Sequence, residues 1–151
     1  MKKLFTVLIV SAFSSTALYA ATAFTDAKDA VDYRQSAFTM IRHNTGDIGE
    51  MLQGKVPFDA KRVQQRADAL AALAPLPWAA FSTPGTEAGG GDAKKEIWAD
   101  FKDFTAKADK FQQDTKALQV AAQTGDQAKI KAAFATFRGN CKACHDQYKA
   151  D

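Results

Sequence analysis

Cysteine and histidine are both scarce here: this 151-residue chain has two of each. Two cysteines are too few for a disulfide framework in a domain of this size. No basic cluster and no glycine-rich phosphate loop occurs, so neither nucleic acid nor a nucleotide is an expected partner. No low-complexity tract interrupts the chain. The one greasy run, Leu4 to Phe13, is too short to span a membrane. Charge of one sign is also lacking: 20 basic against 17 acidic residues give +3.

What is present begins at the N-terminus. Lys2 and Lys3 precede the apolar run, and small residues follow through Ala23. Basic start, short apolar centre and small-residue exit make a secretory leader over residues 1–23, cut between 20 and 23. Its removal takes two bases and no acid, leaving 18 bases against 17 acids, or +1. The mature chain, residues 24–151, is then expected to be one exported domain without a membrane anchor, long enough to bury a core.

At the other end stands Cys141-Lys142-Ala143-Cys144-His145. Two thiols three positions apart, followed at once by an imidazole, are the attachment signature of a c-type haem. On a helix the cysteines share a face, each sulfur able to add to one porphyrin vinyl, and His145 follows as axial iron ligand. The other readings are a redox dithiol, half a zinc site or chance. A redox CxxC normally opens a helix, where the dipole lowers the thiol pKa; this one closes a helix. Zinc needs four ligands, and beyond these three the chain offers only His43. Export agrees with haem c, one per chain, which would occupy both cysteines.

The periodicity between the two ends is helical. Ile130, Phe134, Phe137, Cys141, Cys144 and Tyr148 recur every four and three residues, placing both cysteines on a buried stripe. Ile97, Phe101, Phe104, Ala108, Phe111, Thr115, Leu118 and Ala122 repeat the pattern in the helix before, with Gly125 and Asp126 as stop and cap. Two further helices are expected over about residues 26–53 and 59–74, the second stopped by Pro75 and Pro77. The result is an all-α, antiparallel four-helix bundle with the haem near the C-terminal end of the last helix. The joint over residues 75–93 is long and without evident structure of its own, and such loops usually serve a site. In it Trp78 and Phe81 either pin the loop by ordinary packing or wall the haem pocket.

Arg34 lies on the apolar stripe of the first helix with Val31, Phe38 and Ile41. A buried arginine needs a counter-charge, which a haem propionate supplies with matching planar geometry; otherwise it snorkels to a bundle edge. Gln35 adds an amide donor. For the second axial position, Met40 and His43 lie off the stripe and Met51 near its far end. An apolar, phenylalanine-blocked face opposite His145 follows, with a five-coordinate iron.

Together, Ala30-Val31-Asp32-Tyr33-Arg34-Gln35-Ser36-Ala37, Leu76-Pro77-Trp78-Ala79-Ala80-Phe81, Pro84-Gly85-Thr86, Glu96-Ile97-Trp98 and Cys141-Lys142-Ala143-Cys144-His145-Asp146 with Tyr148 closely resemble cytochrome c′. The resemblance covers the whole mature length. It implies a periplasmic, high-spin haem protein that binds NO and CO but O₂ poorly, commonly a homodimer through its first two helices. By the same resemblance Arg34 and Gln35 contact propionate, and Phe38 takes the distal position. Lys149 falls beside the proximal pocket, where many members carry arginine. A bare apolar pocket offers bound O₂ no hydrogen bond, whereas NO needs none. The rival expectation is a simple electron carrier with a six-coordinate haem and redox partner proteins. A peroxidase would want a distal acid–base pair that the Phe38 stripe does not supply, so no enzyme activity is expected.

Overall fold

Aspartate starts every long helix. The computed structural model describes residues 23–88 and 90–150, so the expected leader lies outside it save for Ala23. It holds α1 (Ala27–Leu52), α2 (Ala60–Leu73), a one-turn α3 (Glu96–Ala99), α4 (Phe101–Gln123) and α5 (Gln127–Tyr148). The side chains of Asp26, Asp59, Asp100 and Asp126 accept from backbone N–H groups of the first turns of α1, α2, α4 and α5. Each cap satisfies donors that the helix cannot pair internally and puts negative charge at the positive end of the dipole. Gly54 and Gly125 lie just beyond α1 and α4 at φ 72° and 66°, the left-handed conformation that turns the chain back at little steric cost.

The four long helices make the expected bundle, and no strand occurs among the described residues. Two expectations need correction. The helix anticipated through Ile97 and Phe101 breaks at Asp100, whose φ of −132° and ψ of 64° leave the helical region. Its carboxylate accepts from the Asp103 N–H at 3.1 Å, so the chain restarts there as α4. The joint after α2 is also not structureless: it carries 3-10 turns at Trp78–Phe81 and Thr86–Ala88, and then α3.

The closest helix neighbours are α4 with α5, α2 with α4, and α1 with α2; α1 and α5 approach one another less closely. Ile41, Ile48, Met51, Val63, Leu70, Leu118, Ile130 and Phe137 fill the centre. A second cluster of Phe81, Ile97, Phe104 and Tyr148 closes one end. Phe38 and Trp78 touch both clusters and join them. The helical positions among these recur at helical spacing, so burial of one apolar stripe per helix organises the bundle, while Trp78 and Phe81 come from the connecting 3-10 turn.

Polar pairs fix the helices against sliding. Asp47 on α1 lies between Arg62 and Arg66 of α2, with Arg66 Nε at 2.6 Å. The Arg62 hydrogen bond, then that of Arg66, holds the Asp47 carboxyl below its ordinary range although partial burial opposes this. A depressed folded pKa contributes stability above the ordinary carboxylate range, near 4, and loses it as pH falls through the folded value. Asp47→Asn should therefore cost about 1 kcal/mol at pH 7 and progressively less as pH falls through the folded value. Urea melts at pH 7 and pH 2 check this; an equal loss at both pH values would refute the charge argument.

Candidate haem-binding site

The phase of α5 decides where its thiols point. Its stripe buries Ile130, Phe137 and Tyr148, and Cys141 and Cys144 are half-buried between them. Cys141 packs against the central cluster and Cys144 against the end cluster. The Cys141 thiol lies 3.4 Å from the Phe137 carbonyl oxygen that accepts from it. Burial pushes both thiols up, Cys144 to about 11, against smaller opposing pulls from Arg138 and Lys107. Both are thus neutral at pH 7, the reverse of the lowered pKa that a redox dithiol needs. Nor do three of the His, Cys, Asp and Glu side chains converge on one point among the described residues, as a zinc centre would require.

His145 follows at the surface end of the same turn. Partial desolvation, helped by the charge on Lys149, lowers its pKa and favours the neutral ring, the form able to donate to a metal. α4 grips α5 on both sides of the pentad. Asn140 donates to the buried Asp114 at 3.2 Å, and Tyr148 Oη donates to Asp103 at 2.6 Å. The Tyr148 hydroxyl is pushed up by burial and by this bond, while Asp103 is held low by Tyr148 and then Lys107. These two anchors bracket residues 141–145, so the thiols cannot rotate outward without breaking one.

Across the bundle, α1 supplies the other wall. Arg34 is 2% exposed, and burial lowers its pKa with no carboxylate to oppose the shift. Its Nη2 donates to Gly90 O at 3.0 Å, but its buried Nη1 has no partner among the described residues. The guanidinium instead lies 4.3 Å over the Phe81 ring and 5.8 Å from that of Trp98. Cation–π contact of this kind returns about 1–2 kcal/mol, well short of what burying a charge costs. One turn on, Phe38 meets Trp78 edge-on at 5.6 Å and Phe81 at 6.4 Å. Both nearby indole N–H groups are committed: Trp78 donates to Ala74 O at 2.6 Å and Trp98 to Phe81 O at 2.9 Å.

Of the residues expected at the site, Arg34, Phe38, Trp78 and Phe81 form one aromatic wall, and Cys144 packs on the same end cluster. Ile41 is buried in the central cluster. Gln35 is exposed at the rim, where Gly91 passes close over its amide. Lys149 is not gathered with them: its ammonium pairs with Asp92 at 3.0 Å and donates to Ala150 O. Met40 and His43 are exposed, and Met51 is in the core. Sequence reasoning missed Phe104 and Phe111 as partners of Trp78, each 5.8 Å from it, although both stood on the α4 stripe. It missed Asp114 and Asp103 as well, because an acidic residue on an amphipathic helix carries no mark of what it will hold.

These residues fit a covalent haem. Two inward thiols supply the points of covalent attachment and a neutral imidazole the iron donor. An orphaned buried guanidinium N–H calls for an anion, and α1 and α5 approach one another less closely than the other neighbouring helices.

Comparison with known proteins agrees. The family model described as Cytochrome C' matches residues 29–149. A cytochrome c′ from Rubrivivax gelatinosus is 47% identical over 122 residues, covering 80% of this chain and 94% of the relative. One from Alcaligenes xylosoxydans xylosoxydans is 44% identical over 126 residues, covering 83% and 97%. Among solved structures, cytochrome c prime from Shewanella frigidimarina superposes with a TM-score of 0.81 at 47% identity, covering 85% of this chain and 99% of that one. Variants of the Alcaligenes xylosoxidans protein with nitric oxide or carbon monoxide bound superpose at 0.78 and 42% identity. With the pentad and the bundle already in place, these matches show that the chain belongs to the cytochrome c′ family.

Proposed function

We propose that this chain is a periplasmic haem protein that takes up NO and CO at a five-coordinate iron in an apolar pocket. Haem c, held by thioethers to Cys141 and Cys144, would supply the iron at which a diatomic gas binds. His145 would ligate one side of it, and Arg34 with Gln35 would face the propionates. Phe38, backed by Trp78, Phe81 and Ile41, would crowd the other side. Lys149 would lie at the proximal rim, with its ammonium paired to Asp92. One observation carries the reading: the Phe38 wall offers neither ligand nor donor. Met40 and His43 face solvent, and both indole N–H groups already hold backbone carbonyls. Such a wall suits NO and CO, gives O₂ no hydrogen bond, and provides no acid–base pair for turnover. The nitric oxide and carbon monoxide complexes of the Alcaligenes relative support the same class of ligand.

Residues 1–23 are read as the leader that exports residues 24–151 as one domain. Tyr33 and Met40, seven positions apart on α1 and 39% and 47% exposed, support a homodimer through α1 and α2. Mass spectrometry of the exported protein should give a chain cut between residues 20 and 23 plus one haem, sedimenting as a dimer. Cys141→Ala with Cys144→Ala should release any haem to acid–acetone; haem that stays attached to that double variant sinks the covalent site.

Arg34→Leu should destabilise the haem-loaded protein by about 3 kcal/mol, the usual loss when one partner of a buried charge pair is removed. In the haem-free double-cysteine background the same change should be neutral or stabilising, because it removes an unpaired buried donor. Thermal melts of both pairs check the reversal of sign. Equal losses with and without haem would show that Arg34 serves packing alone.

Phe38→Ala should speed CO association by at least about tenfold, since a ligand entering a close-packed pocket must displace the ring. Stopped-flow mixing of the ferrous protein with CO measures it, and equal rates would remove Phe38 from the ligand's path. A low-spin, six-coordinate ferrous spectrum before any ligand is added would instead favour the electron-carrier reading with its redox partner proteins.

A further inference from the structure

The two helices that carry the site, α1 and α5, are joined by a piece of loop that the haem reading leaves without a task. Residues 90–94 cross from one to the other. At the α1 end, Gly90 accepts from Arg34 Nη2 at 3.0 Å. It sits so close to α1 that a Cβ there would stand 2.6 Å from a methyl of Val31. Its φ of 154° is strained for any other residue. Gly91, at φ 67°, lies against Gln35, where a Cβ would come within 2.1 Å of the amide nitrogen. At the α5 end, Ala93 and Lys149 form an isolated antiparallel bridge. Ala150 N donates to Asp92 O at 2.7 Å, Lys94 N donates to Tyr148 O at 3.0 Å, and Lys149 pairs with Asp92. The turn so clamped is the one that His145 opens, since its carbonyl accepts from Lys149 N at 3.0 Å.

We propose that residues 90–94 are a strap that ties the Arg34 anchor on α1 to the last turn of α5 and so sets the position of His145, with Gly90 as its positioning residue. The physical reason is the weak direct packing between α1 and α5. Apart from the Tyr148–Asp103 bond, the last turn of α5 is a helix end, the part of a helix that frays first. Three bonds at the successive residues Tyr148, Lys149 and Ala150 remove that freedom, and the glycines let the strap lie flat enough to reach.

The inference rests on His145 being an axial ligand of haem, but not on the iron being five-coordinate. The test is Gly90→Ala in the haem-loaded ferric protein, read in two ways. Amide hydrogen exchange at Lys94 and Ala150, the strap's two donors to or from α5, should speed by about tenfold or more. The hyperfine-shifted ring resonances of His145 should move or double; such signals exist for five- and six-coordinate iron alike, so failure of the coordination reading does not imitate failure of the strap. Asp92→Asn, which keeps both backbone bonds, should leave the His145 resonances in place. If Gly90→Ala does not fold, Ala150→Pro removes one clamp instead; Lys149 at φ −114° and ψ 132° already has the extended backbone that proline demands of its predecessor. The Lys94 amide and the His145 resonances should then respond in the same directions. Faster exchange with unmoved His145 resonances would make the strap merely structural, and unchanged exchange would show that it ties nothing.

Discussion

A guanidinium sealed inside a helical bundle is the constraint around which this molecule is arranged. Arg34 is buried on the same stripe that carries Val31 and Ile41, yet no carboxylate reaches it. Its one polar bond goes to Gly90, and two aromatic faces supply the rest of its surroundings. A charge so placed costs several kcal/mol unless an anion with matching geometry joins it. Leucine would fill the same volume without that cost. Its buried Nη1 finds no acceptor among the described residues, which is the observation behind pairing it with a haem propionate in the proposed function.

The same logic explains how α5 is held. Cys141 and Cys144 need a fixed facing, but an amphipathic helix seated by apolar contacts alone tolerates some roll. Asp114 and Asp103 of α4 remove it by hydrogen-bonding Asn140 and Tyr148 on either side of the pentad. Both bonds join neighbouring helices through a carboxylate, the stronger kind of hydrogen bond. The strap over residues 90–94 then closes the remaining freedom at the helix end. Rigid placement matters for ligation because a metal site loses affinity quickly when its supporting contacts loosen.

Most of this architecture was legible in the chain. The four long helices, their aspartate starts at 26, 59 and 126, and the turns at Gly54 and Gly125 follow from periodicity and capping chemistry. So does the inward phase of the thiols, because Cys141 and Cys144 continue the spacing of Ile130 and Phe137. Asp100 escaped notice because a continuous apolar stripe hides a break: Ile97, Phe101 and Phe104 keep helical spacing while the backbone restarts between them. The strap was illegible for a different reason. Glycines announce freedom but not what they pass, and the closeness of Gly90 to Val31 is settled only when α1 and the loop are both in place. Lys149 falls beside the proximal pocket by resemblance alone, and no spacing rule shows that its ammonium pairs with Asp92.

Aromatic packing sets what the pocket can distinguish. Phe38, Trp78, Phe81 and Phe104 form one connected group of rings, each within 6.4 Å of another. Rings in a close-packed interior yield only by moving together, so entry to the Phe38 side carries a steric cost that any ligand must meet. A polar wall would offset that cost selectively for a ligand whose bound form is partly anionic. Here the indole N–H groups that could supply such help are turned to Ala74 and Phe81 carbonyls. Discrimination is left to size and to the strength of the bond made at the metal. On the proposed reading the two walls would then have separate roles: α1 would limit access, and the clamped end of α5 would set how firmly His145 is held.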